Sequence, residues 1–190
     1  NEQLKAQNFR ITDEHLGEGS AKTKFGYNIA AIQTLKQIEA EGRQARPDEQ
    51  EILSRYVGWG GIPQAFDEEN TQWSEEYRQL KELLTEKEYD AARSSTLNAH
   101  YTSPTVIRAM YDAIEKMGFR TGNVLEPSCG VGNFFGMLPD GMSGSRLYGV
   151  ELDSITGRIA RQLYPDARIT ISGFEKTQRR DFFDLAIGNV

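Results

Sequence analysis

Val124-Leu125-Glu126-Pro127-Ser128-Cys129-Gly130-Val131-Gly132-Asn133-Phe134-Phe135 is the stretch on which the fold turns. An apolar run ends in Glu126, two glycines follow close together, and an apolar pair opens a new element. That is the order of strand, tight turn and helix. Gly130 and Gly132 let the backbone turn sharply and approach a ligand with no side chain in the way. The helix that follows offers backbone N–H groups with no partner inside the helix. A nucleotide-like ligand fits such a crevice at the carboxyl end of a first strand.

Reading outward, Leu147-Tyr148-Gly149-Val150 ends in Glu151, nineteen residues after Gly132. An acid ending the second strand is placed to accept hydrogen bonds from both ribose hydroxyls of an adenosine moiety. Four strand-like runs are expected at 123–126, 146–151, 167–171 and 184–187. Between the second and third, Asp153 caps a helix whose Ile155, Ile159 and Leu163 fall four apart. Upstream, Ser103-Pro104 starts a helix with Val106, Ile107, Met110, Ile114 and Met117 as its apolar stripe, and Gly118 ends it. Strand alternating with helix implies a parallel sheet with right-handed crossovers. The expected spatial order of strands is 3-2-1-4, with the ligand above strands 1 and 2.

Residues 1–95 read as a helical leader and 96–190 as the α/β part. In the leader, Ile29, Ile32, Leu35 and Ile38 recur every three residues, and Gly42 stops that helix. Pro47 suits a first helical turn, Asp48 and Glu49 suit the helix dipole, and Ile52, Leu53, Tyr56 and Val57 supply the apolar side. Gly58-Trp59-Gly60-Gly61-Ile62-Pro63 breaks the chain. A third helix is expected to carry Trp73, Tyr77, Leu80, Leu83 and Leu84 inward, and Thr85-Glu86-Lys87-Glu88 has capping-box spacing for a fourth.

The chain has 190 residues, 38% hydrophobic and 26% charged, with a formal net charge of -6. All of that excess lies in the leader: residues 1–95 carry 12 Lys and Arg against 18 Asp and Glu, and residues 96–190 carry 10 of each. A domain that grips nucleic acid unaided usually shows a basic excess, so any nucleic-acid grip is expected to be local or to lie outside these residues. No run of about 18 apolar residues is present, which excludes a membrane span. The single cysteine, Cys129, and the lack of a basic-then-apolar start point to a reducing cytoplasm. Cys129 reads as a small buried residue of the loop. His15 and His100 have no metal-ligand spacing to each other or to Cys129, so no metal is expected. Trp59 and Trp73 read as core residues, and Arg179-Arg180 as a solvated pair.

The loop narrows the cofactor. A lysine-bearing phosphate loop is absent. A dinucleotide loop runs G-x-G-x-x-G, whereas Phe135 takes the third glycine position and Gly136 comes one step late. Glu126 would repel a pyrophosphate. A carboxylate there suits a cation such as the amino and sulfonium groups of S-adenosylmethionine, which electrostatics favours over NAD.

These residues resemble the class I S-adenosylmethionine-dependent methyltransferases, and within them the DNA adenine N6-methyltransferases. The resemblance covers roughly residues 98–190 and implies a Rossmann-like α/β sheet, of which this chain would hold the first four strands. It implies that Glu126, Pro127, Ser128, Gly130, Gly132, Asn133 and Phe134 form the cofactor loop. His100-Tyr101-Thr102-Ser103-Pro104 is similar to the segment that holds the methionine end, with Thr102 as the contact and Tyr101 beside it. Glu151 matches the ribose-binding acid, Leu152 the apolar residue packing on adenine, and Glu175 the acid that receives the adenine amino group. Asp184-Leu185-Ala186-Ile187-Gly188-Asn189 resembles the fourth strand running into the catalytic motif (D/N/S)-P-P-(Y/F), with Asn189 as the catalytic residue and Val190 where the family most often has its first proline.

The leader, with Gly60-Gly61-Ile62-Pro63 and the run Tyr89…Ser94…Asn98-Ala99-His100-Tyr101, resembles the start of the methylase part of very large methylase–helicase proteins of bacterial mobile elements. The implied reading is a truncated cofactor half-site that binds S-adenosylmethionine without methylating DNA by itself. A protein-glutamine or RNA N-methyltransferase and a non-catalytic scaffold on the same fold are the alternatives.

Overall fold

A computed structural model describes residues 6–97 and 101–189. The expected contribution of His100, the run Asn98-Ala99 and the departure at Val190 lie outside the described residues. The leader folds as four helices: α1 Ala21–Ala40, α2 Pro47–Ser54, α3 Ser74–Leu83 and α4 Glu86–Ser95. Ser20 caps α1 by accepting from the Thr23 N–H, and the three-residue recurrence buries Ile29, Ile32, Leu35 and Ile38. Pro47 opens α2, and the Glu49 carboxylate accepts from the Arg46 N–H at 2.9 Å. Thr85 and Glu88 form the capping box of α4. Phe25, Tyr56, Trp59 and Phe66 meet edge to face, a geometry in which ring edges point at ring faces.

Asn28 is fully buried and joins α1 to the segment that follows α2. Its side-chain amide donates to the Gly58 carbonyl at 2.6 Å, and its carbonyl accepts from the Val57 N–H at 2.9 Å. That bond pair fixes the Tyr56–Gly58 bend, where Gly58 adopts φ +67.

The second part contains α5 Pro104–Lys116, β1 Asn123–Glu126, α6 Asn133–Gly136, β2 Arg146–Glu151, α7 Ser154–Leu163, β3 Arg168–Ile171 and β4 Leu185–Ala186. The four strands are parallel in the order β3-β2-β1-β4, the expected order. Glu126 pairs with Gly149, so β2 runs two residues past the end of β1. The loop after β1 folds back over that overhang, and the Cys129 N–H donates to the Val150 carbonyl at 2.9 Å. A Cβ on Gly149 would lie 2.8 Å from Cys129 Sγ, so this crossing needs a glycine.

Two expected packings differ. Val106 on α5 and Met117 at its C-cap are 49% and 78% exposed, and Tyr111 turns inward instead, donating its hydroxyl to the Phe134 carbonyl at 2.8 Å. Phenol burial with its polar tip satisfied outcompetes the aliphatic spacing. Trp73 is buried but precedes α3, in a single 3-10 turn capped by Asn70.

Leader and sheet share one apolar core. Polar ties reinforce it: Glu88 on α4 pairs with Arg158 on α7 at 2.8 Å and with Lys36 on α1 at 3.0 Å, and Gln50 on α2 donates to the Gln162 carbonyl at 3.0 Å. The chain before α1 is a strap over the same elements. The Phe9 N–H donates to the Leu163 carbonyl, the Ile11 N–H to the Gly136 carbonyl, and Arg10 to the Leu138 carbonyl and the Asp140 carboxylate. No described helix is long and apolar enough to cross a membrane.

Candidate cofactor cleft

The overhang of β2 past β1 brings two carboxyl groups to one cavity of about 440 Å³, a size that accepts ligands of the nucleoside class. Glu126, at the end of β1, is 3% exposed, and its Oε2 has no hydrogen-bond partner among the described residues. Burial, with the Glu151 charge added, holds its carboxyl well above the usual range. Glu151, at the end of β2, is better supported. Its Oε2 accepts from the Gly130 N–H and its Oε1 from the Asp153 N–H, both at 2.8 Å. Burial still raises its pKa, and these two bonds hold part of the rise back.

The glycine turn has the conformation its residues allow. Gly130 and Gly132 adopt φ +55 and +88, and the N–H of Gly132 donates to the Cys129 carbonyl at 2.8 Å. A Cβ on Gly130 would stand 3.3 Å from the Tyr101 ring, and one on Gly132 would stand 2.5 Å from the Tyr164 ring. Gly130 thus keeps the cleft floor open, while Gly132 serves packing beneath it.

Of the expected site residues, Tyr101 and Thr102 line the cavity from the chain before α5. Ser128, Gly130, Asn133 and Phe134 line it from the loop, and Glu126, Glu151 and Leu152 from the strand ends. Asn189 reaches it from beyond β4, where a Cβ on Gly188 would touch Glu126 Cγ at 3.3 Å. Pro127, Gly132 and Glu175 are not among the lining residues. Glu175 sits exposed on a short turn after β3.

The lining includes residues to which the sequence assigned no site role. Tyr56, Gly58, Ala91, Ser94 and Ser95 come from the leader, and Asp153 and Thr156 from the start of α7. Asp153 was readable as a cap, which it is, since Thr156 N–H donates to it at 2.7 Å. The leader residues carry no local signal, because only long-range packing brings them here. Burial raises the phenols of Tyr56 and Tyr101 and the Cys129 thiol, so all three are neutral at pH 7. The described lining holds no lysine or arginine. Two carboxyls without a countercharge make a site for a ligand that brings positive charge and hydrogen-bond donors.

No family model matches the chain. In sequence it is similar to the Defense against restriction protein B of Escherichia phage P1, 26% identical over 166 residues, which are 86% of this chain and 6% of that protein. It is also similar to the Type II methyltransferase M.CvrRI of Paramecium bursaria Chlorella virus XZ-6E, 36% identical over 76 residues, which are 40% of this chain and 20% of that protein. The chain thus spans a small part of either relative. A solved structure from Listeria monocytogenes, whose description proposes a class I S-adenosylmethionine-dependent methyltransferase, overlaps 88% of this chain and 59% of its own. Its TM-score is 0.41 and its identity 12%.

Proposed function

We propose that this chain is the S-adenosylmethionine-binding part of a DNA adenine N6-methyltransferase. The observation that carries the reading is the pair of strand-end carboxyls in one cavity, with Glu126 Oε2 buried and unpartnered among the described residues. A buried polar atom without a partner is costly, and a ligand ammonium would satisfy both its charge and its open lone pair. The donor set therefore fits the cofactor. Glu126 takes the amino group of the methionine end, with Thr102 and Tyr101 beside it. Glu151 takes the ribose hydroxyls, since each of its oxygens keeps a second lone pair beyond the bond it accepts from the backbone. Leu152 offers apolar surface to the purine.

When bound, S-adenosylmethionine supplies a methyl group activated by a sulfonium. The chain supplies position. An exocyclic adenine amine is a poor nucleophile, because its lone pair is delocalised into the ring. Asn189 Oδ1 accepts one amine N–H and draws the nitrogen toward a geometry that can attack. The target base reaches that point only when flipped from the duplex. The names of both sequence relatives, a type II methyltransferase and a protein of defense against restriction, support DNA as the substrate. DNA is held through other parts of the longer protein, whose setting is a mobile element in the cytoplasm.

Calorimetric titration with S-adenosylmethionine and a tritiated-methyl assay on DNA test the reading. The isolated chain is expected to bind the cofactor weakly, to lose binding on Glu151→Ala, and to transfer no methyl. Absence of binding, or binding indifferent to Glu151→Ala, overturns the cofactor assignment. Turnover by the isolated chain overturns the assignment of catalysis to a longer protein.

A further inference from the structure

The outer side of the cleft is built by the leader. Ala91, Ser94 and Ser95 of α4 all line the cavity, and their i, i+3, i+4 spacing puts them on one helical face. Small side chains there leave room that a larger residue would fill. The helix is held from behind, since Glu88 is fixed by Arg158 and Lys36 and Tyr89 and Ala92 are buried. Beside it, Tyr56 is 1% exposed and is set by the bend that Asn28 clamps. Independently of this wall, the same cavity contains Glu126 Oε2, buried and without a partner among the described residues, which marks it as a place for a ligand.

We infer that the leader is part of the ligand site: the small-residue face of α4, with Tyr56 and Gly58, is the outer wall of the cleft, and the ligand's flat purine lies between that wall and Leu152. This rests on the cofactor reading above. The strand ends select charge and hydroxyls, and the leader selects thickness. A nucleoside with a flat, unsubstituted base fits, and one carrying a bulky group on the α4 side does not.

The test uses the full 190-residue chain with S-adenosylhomocysteine as the calorimetric probe. Ser94→Phe and Ala91→Phe fill the wall from positions that are exposed in the fold. Their melting temperatures are expected within about 2 °C of the parent, as for other surface changes. Affinity is expected to fall roughly tenfold or more, the scale of overfilling a packed site. Asp90→Phe, on the same helix but outside the lining, is expected to leave affinity unchanged. Parent-like binding in both Ser94→Phe and Ala91→Phe overturns the inference while leaving the cofactor reading intact. Absence of binding by the unaltered chain overturns the cofactor reading, and the wall with it.

Discussion

Glu126→Gln keeps the shape of the side chain and removes its charge. In the folded chain burial, with the Glu151 charge added, raises its pKa well above the ordinary 4.5, and Oε2 has no partner among the described residues. The folded state therefore binds this proton more tightly than the unfolded chain does, and stability falls with rising pH between the two values. The stabilisation is full below about pH 4.5 and is lost as pH climbs through the raised folded value. A buried group without a partner costs about 1–3 kcal/mol, and an ionised one more. Glutamine still leaves part of its amide unsatisfied, so the expected gain at pH 8 is about 1–2 kcal/mol. For a chain of this length that is roughly 2–8 °C in Tm. Thermal unfolding by circular dichroism of both proteins from pH 4 to pH 8 reads this directly, and the gap should close at the acid end. The same change removes the charge opposite the ligand ammonium, a hydrogen bond worth about 1.5–3 kcal/mol, so affinity for S-adenosylmethionine should fall roughly 10- to 150-fold. A variant no more stable than the parent at pH 8, or a gap that ignores pH, refutes the electrostatic argument. Unchanged affinity refutes the role given to Glu126.

Gly132→Ala forces a side chain into the left-handed region and against the fully buried Tyr164 ring. The expected loss is roughly 2–5 kcal/mol in urea unfolding, and a loss well under 1 kcal/mol would contradict the packing described. Glu49 accepts two bonds from the Arg43 guanidinium, at 2.6 and 2.7 Å, and two more from Arg46. Arg43 is the main cause that pushes its carboxyl down to about 2. Its stabilisation is present above pH 4.5 and is lost as pH falls toward about 2. Glu49→Gln should cost about 1–3 kcal/mol at pH 7, with the difference vanishing in acid. A constant difference across that window would point to lost packing rather than lost charge.

The α/β half was legible because its signals are local. Glu126 and Glu151 end their strands where periodicity put them, the glycine turn sits between, and strand alternating with helix fixed a parallel order. The misjudged positions are those where two local signals compete. Val106 and Met117 match an apolar stripe as well as Tyr111 does, and only the carbonyl of Phe134 decides which face is inside. The wall from α4 and Tyr56 was not legible, because contacts between a leader and a sheet leave no spacing in either segment. Glu175 shows the converse: a position that a motif picks out is placed by its turn outside the cavity.

The strap ahead of α1 has a consequence for synthesis. The Asp166 N–H that bonds Asn8 Oδ1 lies 158 residues downstream of it. At about 5–20 residues per second, a ribosome supplies that partner roughly 8–30 s after the strap is made. Through that interval the strap has a leader contact, the Gln7 carbonyl that accepts from Gln50, and its contacts with the α/β half are among the last to form.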